Sequence, residues 1–447
     1  MRAVKILAVV LLGAVALLGA GLFALSRYLD SEAFRRAAVA AAQEALGAPV
    51  TVGQFEVSLL SGAILRQVVV GSPPGLPGEI LRADALVVRP RFLPLFRRRL
   101  EIAEIRLDAP VVTLARSEEG EWSFERLAAR ATAPVAGAPA GSAPPAPAPA
   151  PATLDLVVPR LAINRGALLV FRDRKQPLVA AEGVELGTSL ARVGGAVSGQ
   201  GQLTVTSLRI ANRVEVREIT APLRFGAGEL TLAPLSGHLA DGMIDGQATV
   251  QLPGSGGRYA VNLELRDARA ETLLAALGSR SLSGRLQATA TLTGTAEGSG
   301  GQGHAEIRDG QLRDFPVLGA VAAALNLPLL RELRFDEGAI DFVLAGDVLR
   351  TPVVRFIAGD VKILGKGEIL LRSGTLAHEL TLLVPPAVVR RAPREMRTAF
   401  TERPNGLMGV DFRVWGSYHS PRTDLQDRVL RGFAESILRK GLRQFLR

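Results

Sequence analysis

The sequence predicts a mainly β protein: an N-terminal transmembrane helix, then an elongated, curled antiparallel β-sheet shaped as a groove, a few short helices and a C-terminal amphipathic helix. Three observations carry this. Residues Ile6–Leu25 form an unbroken run of 20 apolar or glycine residues, and a helix of that length spans ~30 Å, the thickness of a bilayer's hydrocarbon core. The chain is 48% hydrophobic but only 5% aromatic, with 47 Gly and 27 Pro in 447 residues. Those proportions suit turn-rich strands better than helices. Short alternating apolar–polar stretches recur through the second half, separated by Gly-rich turns.

The first segment, residues 1–29, reads as a retained membrane anchor, with Ile6, Leu12, Leu18 and Leu25 inside the span. A cleaved signal peptide has a shorter apolar region of ~7–15 residues and a small-residue cleavage site. Ser26-Arg27-Tyr28 does not supply one. Residues 30–130 form a β-rich region. It opens with a helix that Ser31 can cap, running through Leu46 with Phe34, Ala38, Ala41 and Ala45 on one side and Gly47 as its stop. Strands are expected at Val50–Val57, Ile64–Val70, Leu81–Val88, Leu100–Leu107 and Val111–Ala115. Residues 131–152 hold seven prolines among Ala, Gly, Ser, Thr and one Val. Such a composition buries no core and predicts an extended linker.

Residues 153–420 read as a second sheet region. Leu286, Ala288, Ala290 and Leu292 alternate with Gln287, Thr289 and Thr291, while Ile340, Phe342 and Leu344 share a face, as do Leu380, Leu382 and Val384. One-sided strands in succession make a sheet with one apolar and one wet face. With few helices to cover it, the apolar face must curl, pair with another sheet or take a ligand. Alternation leaves a closed sandwich and an open groove both possible, because Val353–Ile357 and Glu368–Leu371 are apolar on both faces. Short helices are expected at Ala270–Leu277, Val317–Leu325 and Ala387–Phe400. Residues 421–447 read as a basic amphipathic helix, with Leu425, Val429, Phe433 and Ile437 every fourth residue.

Several function classes find no support. There is no cysteine, so disulfides, thiolate metal sites and thiol nucleophiles are impossible. The net charge of +10 is not interleaved with aromatics as a single-strand nucleic-acid binder requires, and anionic lipid headgroups account for it as well. His238, His304, His378 and His419 are too scattered for a local metal motif and read as ordinary strand or turn residues. Gly298–Gly303 matches GxGxxG but lies between strands, so it reads as a hairpin turn. Asp241 and Asp245 lack EF-hand spacing, and Glu118, Glu119 and Glu121 read as a solvated turn. No catalytic residue, metal ligand or cofactor is assigned.

The order of these pieces resembles the AsmA-like family of Gram-negative envelope proteins. Those pieces are the anchor, Leu46-Gly47-Ala48-Pro49-Val50-Thr51-Val52 after the helix, and Ile-x-x-Ile-x-Leu-x-x-Pro-x-Val-x-Leu across 102–114. Gly120-Glu121-Trp122 then stands where the family commonly has Gly-x-x-Asn-Trp, without the Asn. His238–Ala248, Leu263–Leu277, Ser283–Leu286 and Ile307–Leu312 follow in the family's order. The resemblance implies relatedness to bridge-like lipid-transfer proteins, whose curled sheet carries acyl chains on its apolar face. It therefore implies a non-enzymatic inner-membrane protein with its bulk in the periplasm, handling membrane phospholipids. Leu286, Leu292, Ile340, Phe342, Leu344, Leu380 and Leu382 are the candidate groove lining. The alternative is a scaffold that serves outer-membrane assembly components through a free sheet edge.

Overall fold

A computed structural model describes residues 32–58, 62–72, 78–91, 100–115, 156–171, 176–193, 196–251, 258–276, 278, 280–295, 298–313, 319, 322, 331–391, 397–417 and 420–425. Strands account for 76% of these and helices for 10%. The anchor residues Ile6, Leu12, Leu18 and Leu25, the tract 131–152, the acidic cluster at 118–121 and residues 426–447 lie outside the described residues. Among the described residues no helix is long and apolar enough to cross a membrane. The chain divides into two compact units, Met1–Leu232 and Ala233–Arg447.

The first unit begins with α1 (Glu32–Leu46), ended by Gly47 at φ +60°, whose N–H donates to the Gln43 carbonyl. Only glycine takes that left-handed turn without a Cβ penalty. Helix α1 docks on β1 (Val50–Ser58), where Arg35 and Gln43 donate to the Val52 and Val50 carbonyls. Ala42 packs against Ala48, Val50 and Val70. The strands β2 (Gly62–Gly71), β3 (Glu79–Arg91), β4 (Leu100–Asp108), β5 (Val111–Ala115), β6 (Leu156–Phe171), β7 (Pro177–Val193), β8 (Ala196–Ile210) and β9 (Val214–Gly226) follow.

Neighbouring strands pair antiparallel with one exception. Strands β4 and β5 both run parallel to β6, and every pair in the two ladders is separated by 56 residues, from Leu100–Leu156 to Ala115–Phe171. The antiparallel sheet expected from the sequence is observed, with this parallel ladder as a local departure from it. Strands β4 and β5 act as one interrupted strand, and bonds from Ala109 N–H to the Asn164 carbonyl and from Ala167 N–H to the Pro110 carbonyl carry the ladder across the break. A parallel neighbour requires a crossover of a dozen or more residues, and residues 116–155 occupy that place in the chain.

Register builds an apolar face in this unit. Phe55, Leu65, Leu86, Leu107, Ile163, Leu186, Leu203 and Ala221 stand opposite one another on successive strands. Bulges keep the face intact. Ala109, Arg165, Gly183 and Glu218 all have φ between +46° and +63°. A bulge inserts one residue and bends the strand. In β6 it therefore moves the inward set from Leu161 and Ile163 to Leu168 and Val170.

The second unit contains most of β10 (Glu229–Leu239), then β11 (Gly242–Gln251), β12 (Tyr259–Arg269), α2 (Ala270–Ala276), β13 (Leu282–Gly294), β14 (Ser299–Arg313), β15 (Glu332–Ala345), β16 (Val348–Ala358), β17 (Val361–Leu370), β18 (Thr375–Val384), α3 (Pro386–Arg391), β19 (Thr401–Glu402), β20 (Met408–Ser417) and β21 (Ser420–Thr423). From β11 to β18 each strand pairs antiparallel with the next, and β20 joins β18. Bulge residues recur at Asp267, Gly284 and Asp309. The GxGxxG stretch is not confined to a turn: Ser299–Gly303 already belongs to β14. Of the helix expected over Ala387–Phe400, α3 and a helical Arg397 are described, residues 392–396 lie outside the described residues, and Thr401 already begins β19. Helix α2 is described over Ala270–Ala276, and the last residue of the expected span, Leu277, lies outside the described residues.

The outer edge of β20 is largely covered. Strand β19 pairs with its start and β21 with its end. Between them the Arg413 N–H donates to the Asp424 carboxylate at 2.7 Å. Short edge strands and such side-chain caps blunt further strand pairing.

Candidate functional site

The apolar face of the second unit is made of cross-strand rows. In the middle row Ile244, Leu265, Ala288, Ala305, Ile340, Val354, Gly365, Leu380 and Phe412 are successive partners. Toward one end lie Leu286, Ile307, Gly338, Phe356, Ile363, Leu382 and Val410. Toward the other lie Ala248, Val261, Leu292, Gly301, Leu344, Leu349, Ile369, Leu376 and Gly416. All seven candidate lining residues, Leu286, Leu292, Ile340, Phe342, Leu344, Leu380 and Leu382, thus fall on one face; alternation within each strand brings Phe342 to the same side as Ile340 and Leu344.

Burial is graded along this face. Leu286 is 6% and Leu382 1% exposed, whereas Leu292, Ile340, Phe342 and Leu344 are only half-buried. The buried end is where α2 and α3 join their strands. The Glu271 carboxylate ties α2 down by accepting from the Gly284 N–H and from Arg269, and Thr272 donates to Asp241. Burial pushes the Glu271 carboxyl up, but those hydrogen bonds outweigh it and hold the group below its ordinary range.

Large side chains on this face lie flat across glycines of the neighbouring strand. A Cβ added to Gly303 would meet the Phe342 ring, one at Gly338 the Phe356 ring, and one at Gly365 the Leu380 side chain. Phe335 covers Gly310 in the same manner and meets Phe356 edge to face at 5.2 Å. Glycine gives these side chains room to lie along the sheet instead of standing away from it.

One polar pair interrupts the apolar rows. The His378 ring reaches across Gly367, and its Nε2 lies 3.0 Å from the Thr351 hydroxyl, which is also 3.2 Å from the Gly367 carbonyl. Thr351 is 5% exposed. Burial pushes the His378 imidazole below its ordinary value. From the sequence His378 reads as an ordinary strand residue, and it does lie in β18; its contact with Thr351 is what the structure adds. Its signal was available: in Leu376-x-His378-x-Leu380-x-Leu382 the histidine occupies an inward slot.

The opposite face is polar. Asp245, Glu264, Thr289, His304 and Asp341 form one row, and Gln247, Asn262, Thr291 and Gln302 the next. They line a concavity of about 830 Å³. Arg266 beside Glu264 and Arg308 beside Glu306 hold those carboxyls below their ordinary range. His304 Nδ1 is 2.6 Å from Asp341, with Thr289 on the next strand. The order Thr–His–Asp suggests a nucleophile relay, yet no hydrogen bond joins Thr289 to His304. The β13–β15 ladders also commit the surrounding backbone N–H groups that an oxyanion would need. Asp245 sits in β11 and Asp241, at φ +63°, in the turn before it. Among the described residues no group of three or more His, Asp or Glu could hold a metal ion. A scan against protein-family models, a search of curated proteins and a search of solved structures each find no match.

Proposed function

We propose that this is a membrane-anchored periplasmic protein that binds or transfers phospholipid along the apolar face of its sheet. The observation that carries the reading is the middle row from Ile244 to Phe412, nine strands wide without a polar side chain, flanked by a row that stays half-buried. Ile244, Leu265, Leu380 and Phe412 of the middle row are buried, and the half-buried apolar row beside them is the surface that marks an interaction site. A diacyl lipid has roughly 30 methylenes, each stabilised by ~0.8 kcal/mol when removed from water, so an apolar track lowers the transfer barrier by on the order of 24 kcal/mol. No chemistry on the lipid is needed. The anchor at Ile6–Leu25, with inner-membrane placement, and the elongated groove shape belong to the same proposal. The scaffold reading would use a free sheet edge, and β19, β21 and Asp424 cover most of the β20 edge. The test is mass spectrometry of lipids retained by the purified full-length protein. Stoichiometric phospholipid supports the reading; lipid-free protein that takes up no labelled phospholipid overturns it.

A further inference from the structure

Four neutral side chains on the polar face of the second unit share one row. Gln247, Asn262, Thr291 and Gln302 are successive cross-strand partners on β11 to β14. Register carries the same row across Val343 and Arg350 to Trp415 on β20. At ~4.8 Å between neighbouring strands, these nine strands span ~40 Å. Two concavities, of about 830 and 760 Å³, lie along the row. All four neutral side chains are exposed, and among the described residues none of them makes a hydrogen bond. The neighbouring row differs, because Arg266 holds Glu264 at 2.7 Å and His304 meets Asp341 at 2.6 Å. Trp415 stands at the far end, between Ala377 and Arg422 of the adjoining strands. It is 42% exposed, and its indole N–H has no partner among the described residues.

We propose that a neutral, linear glycan binds along this row, from Gln247 to Trp415. The inference uses the face opposite the apolar one and does not depend on the lipid reading. Each amide and hydroxyl in the row both donates and accepts hydrogen bonds, and so does every sugar hydroxyl. A glycan therefore replaces the water on these groups bond for bond. An apolar ligand would leave all four unsatisfied, which is unfavourable. A polyanion finds no net attraction here. The first four positions carry no charge, and around the second concavity Arg350, Lys366 and Arg413 are matched by Glu368, Glu379 and Asp424. A peptide adding as a strand needs free backbone groups, and those of β11 to β18 are committed to their ladders. Trp415 supplies what the other positions lack, a flat apolar surface for the C–H face of a sugar ring, with a donor at its edge.

The test titrates full-length protein with chitohexaose, cellohexaose and maltohexaose by isothermal calorimetry. Saturable binding of at least one is expected. Trp415→Ala should weaken it ~threefold to tenfold, the range of one aromatic contact, and Trp415→Phe should restore most of the loss. Replacing Asn262 and Gln302 together by Ala should weaken it ~threefold to tenfold for each hydrogen bond lost. These positions are exposed, so the thermal midpoint should stay put; the amide variant decides alone if Trp415→Ala does not fold. Hyaluronan hexasaccharide, a chain of equal length with carboxylates, is expected to bind more weakly. No saturable binding of any neutral hexasaccharide, undiminished binding in the variants, or a preference for hyaluronan overturns the proposal.

Discussion

Phe342 of β15 lies across Gly303 of β14 so closely that a Cβ on the glycine would sit 2.3 Å from the ring's Cζ and 2.3 Å from the Thr289 carbonyl oxygen. The ring and the missing side chain are one packing unit. Gly303→Ala is expected to destabilise the protein by ~1–3 kcal/mol, the range for overpacking a filled site. Adding Phe342→Ala should recover only part of that loss, because the backbone contact remains. Chemical denaturation of the two single variants and the double variant measures the coupling.

Adjacent residues on β15 allow a sharper test of the apolar face. Phe342→Asp places a charge on it, whereas Val343→Asp places the same charge on the opposite face, where Val343 is already 39% exposed. Lipid retention by the full-length protein should fall at least ~tenfold for the first, since a buried unpaired charge costs well over 1.4 kcal/mol. It should be unchanged for the second. Equal effects would mean that register does not decide where lipid lies.

His378 predicts a pH dependence of stability. Burial lowers its pKa in the folded protein below the ordinary 6.5. Between the folded and unfolded pKa values the unfolded chain binds the extra proton, so stability rises with pH across that window. The contribution is fully favourable above about 6.5 and is lost as pH falls through the folded pKa. Thermal unfolding followed downward from pH 8 should show a decline beginning near the unfolded value, and the His378→Phe difference curve should isolate it.

The bulges give a paired prediction in the first unit. Gly183 has φ +63°, and a Cβ there would meet the Thr206 Oγ1 at 2.3 Å, so Gly183→Ala should destabilise by more than ~1 kcal/mol. Ala109 holds a left-handed φ of +46° without glycine's freedom. Ala109→Gly should be neutral or stabilising by up to ~1 kcal/mol. Denaturation midpoints of the two variants should move in opposite directions, or the second should not move at all.

Much of this fold is legible in alternation, and the places where it is not are physical. The strands Val50–Ser58 through Val111–Ala115 lie within a few residues of where pattern and turn residues put them. What alternation cannot show is that β6 is one strand from Leu156 to Phe171. The bulge at Arg165 shifts its inward residues from odd to even numbers, and a strict two-residue period stops there. Pairing of β4 and β5 with β6 was hidden for another reason: 40 residues separate Ala115 from Leu156, and a parallel neighbour leaves no hairpin signature. All seven candidate lining residues lie in runs with a two-residue period, which is why the sequence alone put those of each strand on a common side. Thr351 was missed because it precedes Pro352 and the bulge in β16, where the alternation breaks.

The parallel ladder changes what the Ala/Pro-rich tract between β5 and β6 can be asked to do. A protease that cuts within residues 131–152 would sever the chain but not the sheet, since eleven paired positions along β6 hold the two pieces in register. The fragments should part on a denaturing gel and stay together in a native one. Mixed as separate polypeptides, they are natural halves for complementation, because the instructions for docking are written in the strands and none is written in the tract that joins them.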